Sequence, residues 1–191
     1  MKQLFALLFI AFLSQLAIFA QDSEVNNAVF TPVRMYGIKA GVNFLSVTHT
    51  GNSYSYFGFH GGFFHEGHVW RNSGYGLEFL FSNQGYSSST FNYLCVPVMA
   101  NYYIGPVTLQ GGGYGALLLS ATTGKYPYKT DISGSAPGLD YGLIAGVKFR
   151  VFKKAALGAR YYLGLQDIDQ SYPGEPSTYN RNIQISVGYD F

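Results

Sequence analysis

From Tyr36 to the C-terminus, apolar residues alternate with small or polar ones at a period of two, the pattern of strands with one apolar face. In the first segment Tyr36, Ile38, Ala40, Val42 and Phe44 share one face, and Gly37, Lys39, Gly41 and Asn43 the other. The pattern returns with Tyr75, Leu77, Phe79 and Phe81 against Gly76, Glu78, Leu80 and Ser82. It returns again over 139–150 and 157–164, and last with Ile183, Ile185, Val187, Tyr189 and Phe191 against Asn182, Gln184, Ser186, Gly188 and Asp190. With further segments near 57–70, 91–104 and 106–121, the spacing predicts eight strands. Residues 71–74, 104–106 and 151–155 read as tight turns, whereas 46–56, 86–91, 121–136 and 167–179 read as longer loops rich in Ser, Thr, Gly, Pro and Tyr. An even strand count, with short turns on one rim and long loops on the other, is the arrangement of outer-membrane barrels.

Two barrels share this outline. In a soluble, lipocalin-type barrel the apolar face lines a cavity; in a membrane barrel it meets lipid and the polar face fills the lumen. Strand length separates them. Segments of about 12 residues, at ~3.3 Å each and tilted ~40°, span about 30 Å, more than soluble strands of ~5–6 residues reach. Glycine separates them too: Gly37, Gly41, Gly76, Gly146 and Gly158 fall on the face that carries the charges. There they make room in a narrow bore; on a water-facing surface they would only weaken the strands. The expected fold is therefore all-β, an eight-stranded antiparallel up-and-down transmembrane barrel over 34–191, with a plugged, polar interior.

The first 20 residues differ. Lys2 precedes the apolar run Leu4–Leu13, and Ala20 precedes Gln21-Asp22, which reads as an export signal cleaved after Ala20, although Ile18 is large for its place before the cut. Residues 21–33 then form a periplasmic N-terminal segment. Beyond residue 20 no stretch reaches the ~20 apolar residues of a membrane helix. Composition fits a lipid-covered surface: charged residues are 12% of the chain, about half the usual share, and Gly is 24 of 191. A net charge of +2 gives no footing for nucleic acid. One cysteine, Cys95, excludes an intramolecular disulfide framework.

Parity places Lys39, Glu66, Glu78, Gln110, Lys148, Arg150 and Arg160 inside, near the short turns. Counting about a 71–74 hairpin sets Glu66 opposite Glu78, a repulsive pair that Arg160 and Lys148 are expected to relieve. The expectation is a buried ion-pair plug; a proton or ion path through the same groups is the functional alternative. Tyr36, Tyr75, Tyr102, Phe149, Tyr189 and Phe191 fall on the apolar face at the periplasmic strand ends, where an aromatic girdle belongs. Ile183, Ile185, Val187, Tyr189 and the terminal Phe191 read as the C-terminal signal for outer-membrane assembly machinery, a form of strand addition. His60 and His68 point inward but stand about 26 Å apart, too far to share a metal, so no metal or cofactor is expected. His65 falls on the lipid face unless a bulge at Gly61-Gly62 shifts the register. His49 with Ser53, Ser55, Asp131, Asp167 and Asp169 is the one constellation that could support catalysis, and Ser is common in any loop, so the chain is read as non-enzymatic. Cys95 is expected in the lumen as a small core residue.

Gly37-Ile38-Lys39-Ala40-Gly41-Val42-Asn43-Phe44, Gly58-Phe59-His60-Gly61-Gly62, Leu77 through Gly85, Asn92-Tyr93-Leu94 with Val96-Pro97, and Leu157-Gly158-Ala159-Arg160-Tyr161, with the ending at Phe191, resemble the PorT-like outer-membrane barrels of Bacteroidota. Cys95 stands where that family often carries Glu, and Asn101 where Lys is frequent, which implies a lumen pair has been dropped. The resemblance implies a non-enzymatic protein of the cell outer membrane, and the short turns on one rim with long loops on the other place both termini on the periplasmic rim. Three roles stay open: a structural or surface-interaction barrel acting through its tyrosine-rich loops (Tyr54, Tyr56, Tyr126, Tyr128, Tyr172, Tyr179), an accessory to protein secretion, or a small pore. The partners implied are the lipid bilayer, the assembly machinery, and a secretion-system or extracellular protein.

Overall fold

A computed structural model describes residues 34–49, 52–86, 89–124, 129–134, 138–167 and 179–191; the signal and the N-terminal segment lie outside the described residues. The strands are β1 (Arg34–His49), β2 (Asn52–Trp70), β3 (Ser73–Tyr86), β4 (Ser89–Ile104), β5 (Val107–Thr123), the two-residue β6 (Thr130–Asp131), β7 (Leu139–Arg150), β8 (Ala155–Asp167) and β9 (Tyr179–Asp190). Neighbours pair antiparallel in the order β4-β3-β2-β1-β9-β8-β7-β5, and β4 pairs with β5 to shut the ring. Eight long strands thus make a closed barrel, and β6 only extends β5 at Thr122-Thr123.

Burial is inverted relative to a water-soluble fold. Asn43 is 0% exposed and Glu78 2%, while Phe63 is 66%, Phe79 52% and Val187 56% exposed. A barrel that hides its polar side chains and displays its apolar ones needs an apolar surround, which excludes the lipocalin-type alternative. The outward residues of the final strand, Ile183, Ile185, Val187, Tyr189 and Phe191, are all exposed in this sense.

Turn chemistry sets the two rims. On the short-turn rim Gly105-Pro106 joins Ile104 to Val107, with Gly105 at φ 57°, a conformation open to glycine at little cost. Residues 151–154 form another turn, closed by Val151 N–H donating to the Ala155 carbonyl at 3.0 Å. The β2–β3 turn is tighter than its sequence suggests: Trp70 pairs with Ser73, and Val69 is the extra residue of a bulge between His68 and Trp70. On the opposite rim two of the expected long loops are mostly ladder. β1 and β2 stay paired to His49↔Asn52, and β3 and β4 to Tyr86↔Ser89, so only residues 50–51 and 87–88 connect them.

Candidate functional site: the interior charge network

The tighter turn at Trp70↔Ser73 and the bulge at Val69 together correct the sequence register by two residues. Glu66 pairs with Gly76 and Glu78 with Phe64, so the two carboxylates lie diagonally, two residues apart along the ladder, and do not face each other. Each meets its own cation. Arg160 on β8 grips Glu78 on β3 with both terminal nitrogens, Nη1 to Oε2 at 2.7 Å and Nη2 to Oε1 at 2.8 Å. Lys39 on β1 adds Nζ to Oε2 at 3.1 Å. Arg160 Nε donates to Gln110 Oε1 at 2.9 Å, and Gln110 Nε2 to Asn101 Oδ1 at 3.1 Å, so one network joins β1, β3, β4, β5 and β8. Nearer the short-turn rim Lys148 on β7 pairs with Glu66 on β2, and Arg150 on β7 with Asp190 on β9.

Ring order turns these contacts into a plug. β3 and β8 stand four strands apart in a ring of eight, and so do β2 and β7. The Glu78–Arg160 and Glu66–Lys148 pairs therefore cross the bore along two diameters. Among the described residues charge balances inside: Lys39, Lys148, Arg150 and Arg160 against Glu66, Glu78, Asp190 and Asp140, whose Oδ2 accepts the Tyr114 hydroxyl at 3.2 Å. A partly open pocket beside the network, lined by Lys39, Glu66, Glu78, Lys148, Arg160 and Asp190 among others, has a volume of about 20 Å³. Roughly 10–15 Å³ holds one water, so this cavity takes a water or two and no hydrated ion.

Small residues make the crossing possible. A Cβ at Gly146 would stand 2.5 Å from Arg160 Cγ, so glycine there lets the arginine stem lie flat on β7. Toward the long-loop rim the interior has two kinds of wall. Leu80, Tyr93, Cys95, Met99, Tyr114, Ala116, Ile144 and Tyr162 form an apolar cluster, which is where Cys95 packs. Across from it Asn43 Oδ1 meets His60 Nδ1 at 2.7 Å, and Asn43 Nδ2 donates to Ser82 Oγ at 3.1 Å and to the carbonyls of Phe59 and Asn83.

Other sequence-derived sites fall as follows. Tyr36, Tyr102, Phe149, Tyr189 and Phe191 are exposed on the outer face near the short-turn rim. Tyr75 is half-buried, since its ring covers Gly67, where a Cβ would stand 2.6 Å from it. The β1–β2 ladder is unbroken across Gly61-Gly62, so no bulge lies there and His65 does face outward. It stacks on Tyr36 at 4.4 Å and its Nε2 lies 3.0 Å from the Tyr75 hydroxyl. His68 stacks on Tyr103 at 4.0 Å. Cys95 and Asn101 lie six residues apart on β4, about 20 Å, so they do not mark one lost pair. Among the described residues no three His, Cys, Asp or Glu side chains gather as metal ligands. The side chains of His49, Ser53, Ser55, Asp167 and Asp169, and of the loop tyrosines other than Tyr56, lie outside the described residues.

Sequence reasoning missed Asp190 as the partner of Arg150 past the intervening β8, and Asn101 as the far end of the network. It also missed Trp70 and Phe152, 66% and 71% exposed beside the short turns. A large apolar residue next to a basic one in a turn is the signal that could have found them.

Residues 19–170 match the family model of the outer membrane protein beta-barrel domain. No curated protein matches the chain. Among solved structures, the attachment invasion locus protein Ail of Yersinia pestis, in complex with the heparin analogue sucrose octasulfate, is 16% identical, with 83% of this chain and 99% of that one covered and a TM-score of 0.54. Neisserial surface protein A is 13% identical, with 82% and 97% covered and a TM-score of 0.54. At such identity the likeness is one of fold.

Proposed function

This chain belongs to the outer membrane protein beta-barrel domain family, and from that premise we propose a non-enzymatic barrel of the outer membrane whose working parts are the hairpins of its long-loop rim. The short-turn rim, with both chain ends, faces the periplasm, and the export signal is cleaved after Ala20. The observation that carries the reading is the pair of ion bridges across the bore: a barrel closed along two diameters acts by what it presents and not by what it passes. Presentation falls to the β1–β2 and β3–β4 hairpins, whose ladders run on to His49↔Asn52 and Tyr86↔Ser89. Ail, of similar fold, was solved with a sulfated heparin analogue, so a sulfated or otherwise acidic surface glycan is the first ligand class to try. Phe191 and the apolar residues alternating before it serve as the signal read by the assembly machinery.

The test is a chain in which 46–55 and 85–90 are each cut to a two-residue turn. The barrel should keep its heat-modifiable migration while cells carrying it lose attachment to glycan-coated surfaces. Undiminished attachment with both hairpins cut would show that the role lies elsewhere. A second reading, accessory to protein secretion, is favoured by the motif set shared with PorT-like barrels. It predicts a changed set of secreted proteins in a deletion strain, which the presentation reading does not.

A further inference from the structure

The interior is charge-balanced, but the short-turn rim is not. Arg34 at the start of β1, Arg71 in the β2–β3 turn, and Lys153 and Lys154 in the β7–β8 turn are exposed, and no Asp or Glu is exposed on this rim among the described residues. Each cation adjoins an aromatic side chain that points out of the barrel. Arg71 follows Trp70, Lys153 follows Phe152, and Arg34 shares the outer face of β1 with Tyr36. Lys154 Nζ lies 5.9 Å from the centroid of the Tyr189 ring.

We propose that this rim is a docking ring for anionic phospholipid headgroups, with the cations on the phosphates and the neighbouring aromatics among the upper acyl chains. The inference rests on the membrane reading above. Two features point to lipid in place of a soluble polyanion. The cations are spread around the rim in ones and twos on flexible stems, so they form no pocket, and each needs only a headgroup at its own depth. Their aromatic partners stand at the edge of the apolar band, where amphipathic rings sit at headgroup level. A cation at a membrane surface gains about 1 kcal/mol from anionic lipid, which converts to about fivefold local enrichment per contacting residue.

The chain contains a single tryptophan, Trp70, next to Arg71. The full chain is refolded into phosphatidylcholine vesicles carrying a tenth, roughly, of one brominated lipid, either phosphatidylglycerol or phosphatidylcholine. The expected result is several-fold stronger quenching of Trp70 by the brominated phosphatidylglycerol, falling toward parity in Arg71→Gln and in high salt. For the opposite side, a Trp70→Phe, Phe152→Trp chain moves the reporter beside Lys153 and Lys154, and Lys153→Gln with Lys154→Gln should remove its preference. Equal quenching by both lipids overturns the docking ring while leaving the membrane reading intact. No quenching by either overturns the membrane reading itself. Equal quenching together with a saturable response of Trp70 to soluble acidic peptidoglycan fragments would reassign the rim to the cell wall.

Discussion

Removing the carboxylate of Glu78 is the sharpest perturbation of the interior. Its side chain is 2% exposed, and its partners Lys39 and Arg160 are 6% and 4% exposed. Glu78→Ala leaves both cations buried without a carboxylate, although Arg160 Nε still donates to Gln110 Oε1. Breaking a buried pair in this way costs about 3–5 kcal/mol. The loss should decline toward the rim: smaller for Glu66→Ala, whose partner Lys148 is 13% exposed, and about 1 kcal/mol for Asp190→Ala, whose partner Arg150 is 30% exposed. Replacing Lys39, Glu78 and Arg160 together by Met, Leu and Met should recover most of the loss, because an apolar filling of similar volume carries no desolvation cost. The assay is reversible urea unfolding in lipid vesicles, followed by Trp70 fluorescence and by gel migration of unboiled samples. If Glu78→Ala fell within about 0.5 kcal/mol of the unaltered chain, the range of surface substitutions, the network would not be holding the barrel.

Gly146→Val places branched carbons where Arg160 Cγ lies 2.5 Å from a bare Cβ, and should cost about 1–3 kcal/mol in the same urea assay. Cys95 is 4% exposed within the apolar cluster, so a maleimide should label it only after unfolding; rapid labelling of the folded barrel would place it elsewhere. Outside the membrane-spanning strands, the Ser133 hydroxyl and its backbone N–H, 2.8 Å from Asp131 Oδ1, hold the Asp131 carboxyl below the usual carboxylate range. That turn is therefore favoured above the ordinary aspartate pKa and released as pH falls through the depressed one. Ser133→Ala should move the Asp131 titration upward in an NMR pH series. Deleting Phe191 should slow assembly in cells without preventing refolding in detergent; unimpaired assembly would remove its role as signal.

The period-two pattern made faces legible. Parity along a strand is a local property, so it separates Lys39, Glu78 and Arg160 in the interior from Phe79 and Val187 on the exterior. Charge pointed to Arg160 and Lys148 as the cations beside the two carboxylates, but which cation meets which carboxylate was not legible, since it depends on register between strands. The tighter turn, with Trp70 opposite Ser73, and the Val69 bulge each shift the register by one, which together move Glu66 and Glu78 off opposition by two residues, and nothing in Gly67-His68-Val69-Trp70 marks the bulge. Nor could sequence tell that β3 faces β8, which follows only from closure of a ring of eight. Asp190 illustrates the same limit: its face was clear, while its contact with Arg150 reaches past the intervening β8. The paired stretches within 46–56 and 86–91 resemble loops in sequence because Ser, Thr and Gly mark turns as well as polar strand positions, and composition alone does not separate them.

The claim that two diametric ion pairs close the bore is tested most directly by recording current across a planar bilayer holding the refolded, heat-modifiable barrel. The account predicts no stepwise conductance at about ±100 mV in molar salt, since two ion pairs cross the bore and the pocket of about 20 Å³ beside them holds only a water or two. Regular open steps that disappear when the protein is denatured before addition would contradict it, and the network would then be the lining of a pore.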